Sequence, residues 1–383
     1  MREETRSMHD EFEADLRELE RRGRLRSLRE RSGIDFTSND YLGLAESDEL
    51  KRATTDAVAR GVPVGSGGSR LLRGNHPEHE ALESEAAAYF GAETALYFGG
   101  GYVANLAIFS TLPQRGDLVV HDELIHASVH EGLRRGRADV AAVPHNNVDA
   151  FDAAIGRWRA SGGKGRPWIS VESLYSMDGD SPDLAVLFDI ARRHEAMVVI
   201  DEAHATGVLG PQGRGLAAAF EGSDNVITLH TCGKALGTVG ALVLAPRTIR
   251  DFLVNRSRPF IFATAPSPLT AAVTRVAIEL SRTNPERRER LARLVQFAGG
   301  ELRRRCKLEP SGSHILPVIV GADQAAVTLA ASLQARGFDI RAIRPPTVAE
   351  GTARLRIALT ANVDEAIIAN LFGALAEDMR KAS

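Results

Sequence analysis

From Thr94 onward the chain alternates short apolar runs with amphipathic stretches. Thr94–Phe98, Asp117–Val120, Val140–Val143, Trp168–Val171, Met197–Ile200, Val226–Leu229 and Gly240–Leu244 read as strands. Most are continuously apolar rather than alternating, which predicts a mainly parallel sheet covered on both faces. Helical stretches such as Asp183–His194 lie between them. Ligands in such sheets bind beyond the C-terminal strand ends. Asp201, His204 and Lys234 all follow strand ends.

A charged helical stretch over 270–307 leads into a second pattern. Its strands are His314–Val320, Asp339–Ile343 and Ala353–Leu359, with Pro345 and Pro346 fixing the loop before the last. A final helix is predicted from Asn362 as N-cap, with Glu365 as capping-box partner. Residues 8–31 carry Phe12, Leu16, Leu19, Leu25 and Leu28 at helical spacing among many Arg and Glu. They predict an amphipathic helix, or two, packed on the body as a solvated arm; the alternative is that its arginines grip an anionic substrate. The organisation expected is an arm over 1–41, a large α/β domain over 42–275 and a smaller C-terminal α/β domain over 276–383. No internal repeat or low-complexity tract interrupts it.

Composition narrows the class. The chain has 383 residues, 44% hydrophobic and 25% charged, enough for a large core. A formal charge of −3 gives no bulk basic surface for nucleic acid. Cys232 and Cys306 make neither a disulfide framework nor a zinc site, so no metal is expected and a reducing compartment is. The charged N-terminus lacks the apolar core of a signal peptide. No run reaches the roughly 20 apolar residues of a membrane span. The expected location is the cytoplasm.

The chemistry concentrates at strand ends. Lys234 lies in a loop of small residues, where Gly233 and Gly237 let backbone approach a ligand closely. Alone it reads more readily as a solvated lysine. Asp201 ends a fully apolar run, with His204 three residues on. An amine for a Schiff base and a carboxylate for a pyridinium nitrogen are what pyridoxal phosphate (PLP) requires. The bland alternative is a helix cap and a structural histidine. Gly99-Gly-Gly-Tyr-Val-Ala-Asn105 follows a strand and opens a helix, so its N–H groups can hold a phosphate. It also fits a dinucleotide fingerprint, with Asp117 or Asp122 as the ribose acid, but an oxidoreductase of that kind leaves Asp201, His204 and Lys234 without a task. His126 can stack on a ring, as can its neighbours His121 and His130. The loop Gly65-Ser-Gly-Gly-Ser-Arg70 either binds an anion or turns the chain. Arg354 and Arg356 share one face of a strand; one can clamp a carboxylate, or the pair is exposed on an edge.

From about Asp35 to the C-terminus the chain resembles the α-oxoamine synthase family of fold-type I PLP enzymes. The anchors are Ser38-Asn-Asp-Tyr-Leu-Gly-Leu44, Gly65-Ser-Gly-Gly-Ser-Arg70, Ser176-Met-Asp-Gly-Asp180, Asp201-Glu-Ala-His204 and Thr231-Cys-Gly-Lys234, in the family's order. The resemblance implies a PLP-dependent acyltransferase with Lys234 as Schiff-base lysine and acid/base. It matches Asp201 to the pyridinium partner, His204 to the phenolate partner, and His126 to the stacking ring. Gly101 and Tyr102 match phosphate-binding amides, Thr231 a phosphate-binding hydroxyl, and Ser176 a residue near the phenolic oxygen. Asn39, Arg356 and Thr347 match substrate contacts. Thr264 matches a phosphate ligand given by the other subunit, which implies a homodimer with shared sites. Gly100 departs from the serine of the family's phosphate loop, and Ala263 and Ala265 from hydroxyl residues. Ile343-Arg-Pro-Pro-Thr-Val348 and Gly351-Thr-Ala-Arg-Leu-Arg356 look most like members that join L-alanine to a pimeloyl thioester, carried on coenzyme A or acyl-carrier protein. Members that use other amino acids, and a PLP-binding regulator or scaffold without turnover, are the alternatives.

Overall fold

A computed structural model describes residues 8–382. Its strands in chain order are β1 (Ile34–Asp35), β2 (Thr94–Phe98), β3 (Leu118–Asp122), β4 (Asp139–Val143), β5 (Pro167–Glu172), β6 (Met197–Asp201), β7 (Val226–Thr231), β8 (Ala241–Ala245), β9 (Ile315–Gly321), β10 (Phe338–Asp339), β11 (Ala342–Ile343) and β12 (Ala353–Ala358). Seven of them form one sheet in the order β2-β8-β7-β6-β5-β3-β4. Only β8 runs antiparallel to its neighbours.

Continuous apolar runs are what such a sheet needs, because side chains alternate between two buried faces. Val119 packs on one side with Phe109 and Trp168, while Leu118 and Val120 pack on the other with Phe151 and Ile169. The exception is β4, whose residues are mostly exposed because it closes the sheet edge. Helix Leu184–His194 lies where the pattern placed it, and Asp183 Oδ1 accepts the Val186 N–H to cap it.

A second sheet, β11-β12-β9, is antiparallel. Its core also takes in Phe36, Tyr41, Leu42 and the last helix, Glu365–Ala382. Two local expectations change here. The strand expected over Asp339–Ile343 is two: β10 pairs with β1, then the chain turns at buried Ile340 so that β11 can pair with β12. The last helix is capped by Asp364, which accepts the Ile367 N–H at 2.8 Å, so Asn362 is outside it. The boundary at 275/276 falls inside helix Pro268–Thr283, which packs on helices Asp48–Ala59 and Pro77–Phe90.

Among the described residues the arm carries one helix, Asp10–Arg21, as the spacing allows, but it has no buried residue, and Phe12 and Leu16 are exposed rather than packed on the body. What ties the following segment to the body is charge: Arg24 donates to Asp323 at 2.6 Å and to Glu350 at 2.5 Å. Among the described residues no helix is long and apolar enough to cross a membrane.

Candidate active site

The C-terminal ends of β5, β6 and β7 open into a cavity of about 450 Å3. Each strand delivers its last residue to the wall: Glu172, Asp201 and Thr231. The turns beyond β6 and β7 add His204 and Lys234, and helix Gly101–Thr111 starts at the rim. A Cβ on Gly101 would lie 2.7 Å from Thr231 Cγ2, so glycine is needed for this close approach. Nothing lies within 4 Å of a Cβ placed on Gly99 or Gly100, which leaves open space against the helix start. Free N–H groups there suit a phosphate.

Hydrogen bonds set the geometry of the wall. Asp201 Oδ2 accepts from Asn105 Nδ2 at 2.8 Å, and Oδ1 from the Ala203 N–H at 2.9 Å. Asn105 also donates to Ser128 Oγ at 3.0 Å. His126 caps helix Ala127–Arg135, its Nδ1 accepting the Ser128 N–H, which leaves the ring proton on Nε2. The ring lines the cavity and is exposed to it, as a stacking surface must be.

Lys234 Nζ stands 2.7 Å from His204 Nε2, and His204 Nδ1 stands 2.6 Å from Tyr41 Oη. An ammonium only donates, so while Lys234 is charged the order is fixed: Lys234 to Nε2, Nδ1–H to Tyr41, and Tyr41 to Asn39 Oδ1 at 2.9 Å. Burial lowers Lys234 to about 8, with Asp201 and Glu172 resisting and Arg356 assisting. Burial, then the Lys234 charge, holds His204 well below its ordinary value. Burial also lowers His126, against Asp201.

Arg356 reaches the same chain. It donates from Nη2 to Asn39 Oδ1 at 3.0 Å and Tyr41 Oη at 3.2 Å, and from Nε to the Ser176 carbonyl at 2.5 Å. Among the described residues no carboxylate pairs with it, although it is 7% exposed. A buried guanidinium without a counterion is a ready site for a carboxylate ligand. Arg354 is closed by Asp178 at 2.5 Å. The two arginines lie on the central strand of the small sheet, so the alternative of an exposed edge pair is wrong.

Of the residues singled out from sequence, Lys234, Asp201, His204, His126, Gly101, Tyr102, Thr231 and Asn39 line this cavity. Arg356 touches Asn39 from behind, and Ser176 contributes its backbone between Glu172 and Arg356. Thr264 and Thr347 are exposed and outside the wall. Arg70 is spent on buried Glu83, so its loop turns the chain. The dinucleotide reading fails on topology, since β2 and β3 lie far apart in the sheet. Its acids are also occupied: Asp117 binds the Arg166 N–H and Asp122 binds His145. Sequence reasoning missed Glu172, Asn105 and Ser128. Glu172 had a visible signal, because it ends an apolar strand as Asp201 does.

The chain belongs to the aminotransferase class I and II family, whose profile matches residues 31–375. Its cofactor is PLP, and the cavity fits it with an anion cradle, a stacking ring, a carboxylate and an amine. The 8-amino-7-oxononanoate synthase of Anaeromyxobacter dehalogenans strain 2CP-1 is 42% identical over 348 residues, 90% of this chain and 86% of the relative. A structure of SPT with PLP superposes with a TM-score of 0.88 at 28% identity, covering 98% of this chain and 99% of that one. The 8-amino-7-oxononanoate synthase of Francisella tularensis does so with a TM-score of 0.77 at 27% identity, over 92% and 99%.

Proposed function

We propose that this enzyme joins L-alanine to a pimeloyl thioester, carried on coenzyme A or acyl-carrier protein. The products are 8-amino-7-oxononanoate, CO2 and the free thiol, in biotin synthesis in the cytoplasm. One observation supports it most: a cavity that holds an amine with a lowered pKa, Lys234, abuts the buried guanidinium of Arg356, with which no carboxylate pairs among the described residues. The identity of 42% to a synthase of this name, against 28% to SPT, favours alanine and pimeloyl over other family substrates.

PLP, when bound, supplies an aldehyde for the amino group and a ring that accepts electrons from the α-carbon. The chain supplies position and protons. The Gly101 and Tyr102 amides and the Thr231 hydroxyl would hold the phosphate, completed by Thr264 from a second copy in a homodimer. Asp201 would keep a proton on the ring nitrogen, the His126 ring would stack on the cofactor, and His204 with Ser176 would serve the phenolic oxygen. Arg356 and Asn39 grip the amino acid's carboxylate, with Thr347 on the substrate path. Lys234, partly neutral at physiological pH, takes the α-proton and returns one after CO2 leaves. The thioester's sulfur departs as the new carbon–carbon bond forms.

The test is product mass after incubating the PLP-loaded protein with pimeloyl-CoA and alanine, glycine or serine in turn. The expected product is 8-amino-7-oxononanoate, from alanine. Turnover with glycine or serine and none with alanine would overturn the assignment. Borohydride should fix the cofactor to the peptide that holds Lys234.

A further inference from the structure

Glu172 is a buried carboxyl group in the cavity wall to which the proposed chemistry gives no task. It ends β5 as Asp201 ends β6, and the two are register partners across that parallel pair. Carboxylates so placed oppose each other's charge. Asp201 accepts two hydrogen bonds, from Asn105 and Ala203. Glu172 Oε2 accepts the Ser176 N–H at 3.2 Å, while among the described residues Oε1 is buried with no hydrogen-bond partner. Both oxygens of Asp201 are therefore engaged while Glu172 keeps one oxygen without a partner, which makes Glu172 the member of the pair with room for a proton.

The groups facing Glu172 agree. Asp201 faces it from β6, Lys234 from the turn after β7, His126 from the cap of its helix, and Tyr175 from the following loop; His145 and Asp122 stand behind Tyr175. Burial, then Asp201, pushes its carboxyl up to about 8, while Lys234 and the Ser176 and His126 N–H groups resist. With Oε2 occupied by an N–H, the proton sits on Oε1. That oxygen is buried with no partner, and among the described residues it is the one such side-chain atom in the cavity wall. A buried donor aimed into a ligand cavity calls for an acceptor on the ligand.

We propose that Glu172 stays protonated and donates from Oε1 to the phenolic oxygen of bound PLP. The inference rests on the reading of this cavity as the PLP site around Lys234. A neutral acid adds a donor there without adding a second negative charge beside Asp201. An ionised Glu172 would instead repel the phenolic oxygen, so its titration should appear in the absorption of the bound cofactor.

The experiment compares PLP-loaded wild type, Glu172→Gln and Glu172→Ala. Glutamine keeps a donor and cannot ionise. Wild type should show a pH transition of the cofactor band that Glu172→Gln lacks. Glu172→Gln should retain PLP like wild type, and Glu172→Ala should retain it more weakly, on the order of tenfold. Infrared difference spectra of wild type with and without PLP should contain a protonated-carboxyl band that shifts on loading. The idea is overturned if Glu172→Gln titrates as wild type does, or if it loses PLP as Glu172→Ala does. Should the variants misfold, the wild-type infrared spectrum decides, and absence of the shifting carboxyl band refutes the proposal. Failure of the underlying reading shows separately, as wild-type protein in which borohydride fixes no PLP to Lys234.

Discussion

Tyr41 links the two halves of the site at a single atom. Its hydroxyl meets His204 Nδ1, Asn39 Oδ1 and Arg356 Nη2, so it couples the amine end to the carboxylate end. Burial raises its own pKa to about 12 despite Arg356, so it stays a neutral phenol through the working range. By accepting from His204 Nδ1 it keeps Nε2 free to accept from Lys234. Tyr41→Phe removes that acceptor and frees His204 to carry its proton on Nε2. A donor facing Lys234 favours the neutral amine, so the limb of the kcat profile set by Lys234 should move to lower pH. The kcat should fall on the order of tenfold, the usual scale for a buried hydrogen bond to a charged network. PLP content should stay normal. An unmoved pH limb in Tyr41→Phe would show that the hydroxyl only fills space. Tyr41 was visible in sequence as part of a family anchor, but no periodicity could show that it touches residues 163 and 315 positions away. Lys234, Asp201 and His204 were legible because each follows an apolar run that could only be a buried strand.

At the scale of elements, β12 and the segment 176–180 explain one another. Arg354 is bound by Asp178, and Arg356 by the Ser176 carbonyl, so the segment holds both arginines from one side. Asp178 pairs with Arg354, and among the described residues no carboxylate pairs with Arg356, the arginine proposed above to take the substrate. Arg356→Lys should therefore raise the alanine KM by roughly ten- to a hundredfold with little change in the resting absorption spectrum. Arg354→Lys should leave that KM within a few-fold and lower thermal stability instead. A larger alanine effect from Arg354→Lys would exchange the roles. The far end of the segment does different work. Asp180 and Asp122 hold His145 between them, each at 2.9 Å. Burial opposes charge on His145, but the two carboxylates outweigh it and raise the pKa from 6.5 to about 10. Its contribution to stability is complete below pH 6.5 and lost as pH rises through about 10. The melting temperature of PLP-saturated wild type should thus exceed that of His145→Gln by most near pH 6, with the gap closing towards pH 10.5. A gap independent of pH would assign His145 to packing alone. The strands of the large sheet were legible because continuous apolar runs have one good home. The break at Ile340 was not, since it depends on which strands β10 and β11 find as partners. The final cap misled because Asn362 and Asp364 both offer a capping oxygen, and only geometry chooses between them.

At the scale of the whole molecule, the chain leaves several large apolar side chains uncovered, one of them in the cavity wall. Val64, Leu72 and Phe262 are 72%, 84% and 71% exposed, and Val239 in the cavity wall is 61% exposed. Loops 65–68 and 263–266 are tied together through Ala265 N–H to the Gly68 carbonyl and Ser66 Oγ to the Pro266 carbonyl. Thr264 immediately precedes these contacts, exposed and outside its own cavity wall. A second copy packed on these residues would bury the apolar ones and could bring Thr264 to the neighbouring phosphate cradle. Complementation distinguishes that arrangement from two independent sites. Lys234→Ala disables the site of its own chain, and Thr264→Glu sets a carboxylate against whichever phosphate Thr264 serves. If Thr264 crosses over, the mixed dimer has one site with both defects and one with neither. Chains refolded together in equal amounts should then recover roughly a quarter of wild-type activity, since half the dimers are mixed and each has one sound site. If Thr264 serves its own chain, every site in the mixture carries one defect and no activity returns. Sedimentation of the same mixture must show a dimer at assay concentration. A fully active monomer would rule out sharing, whatever the mixing experiment gave.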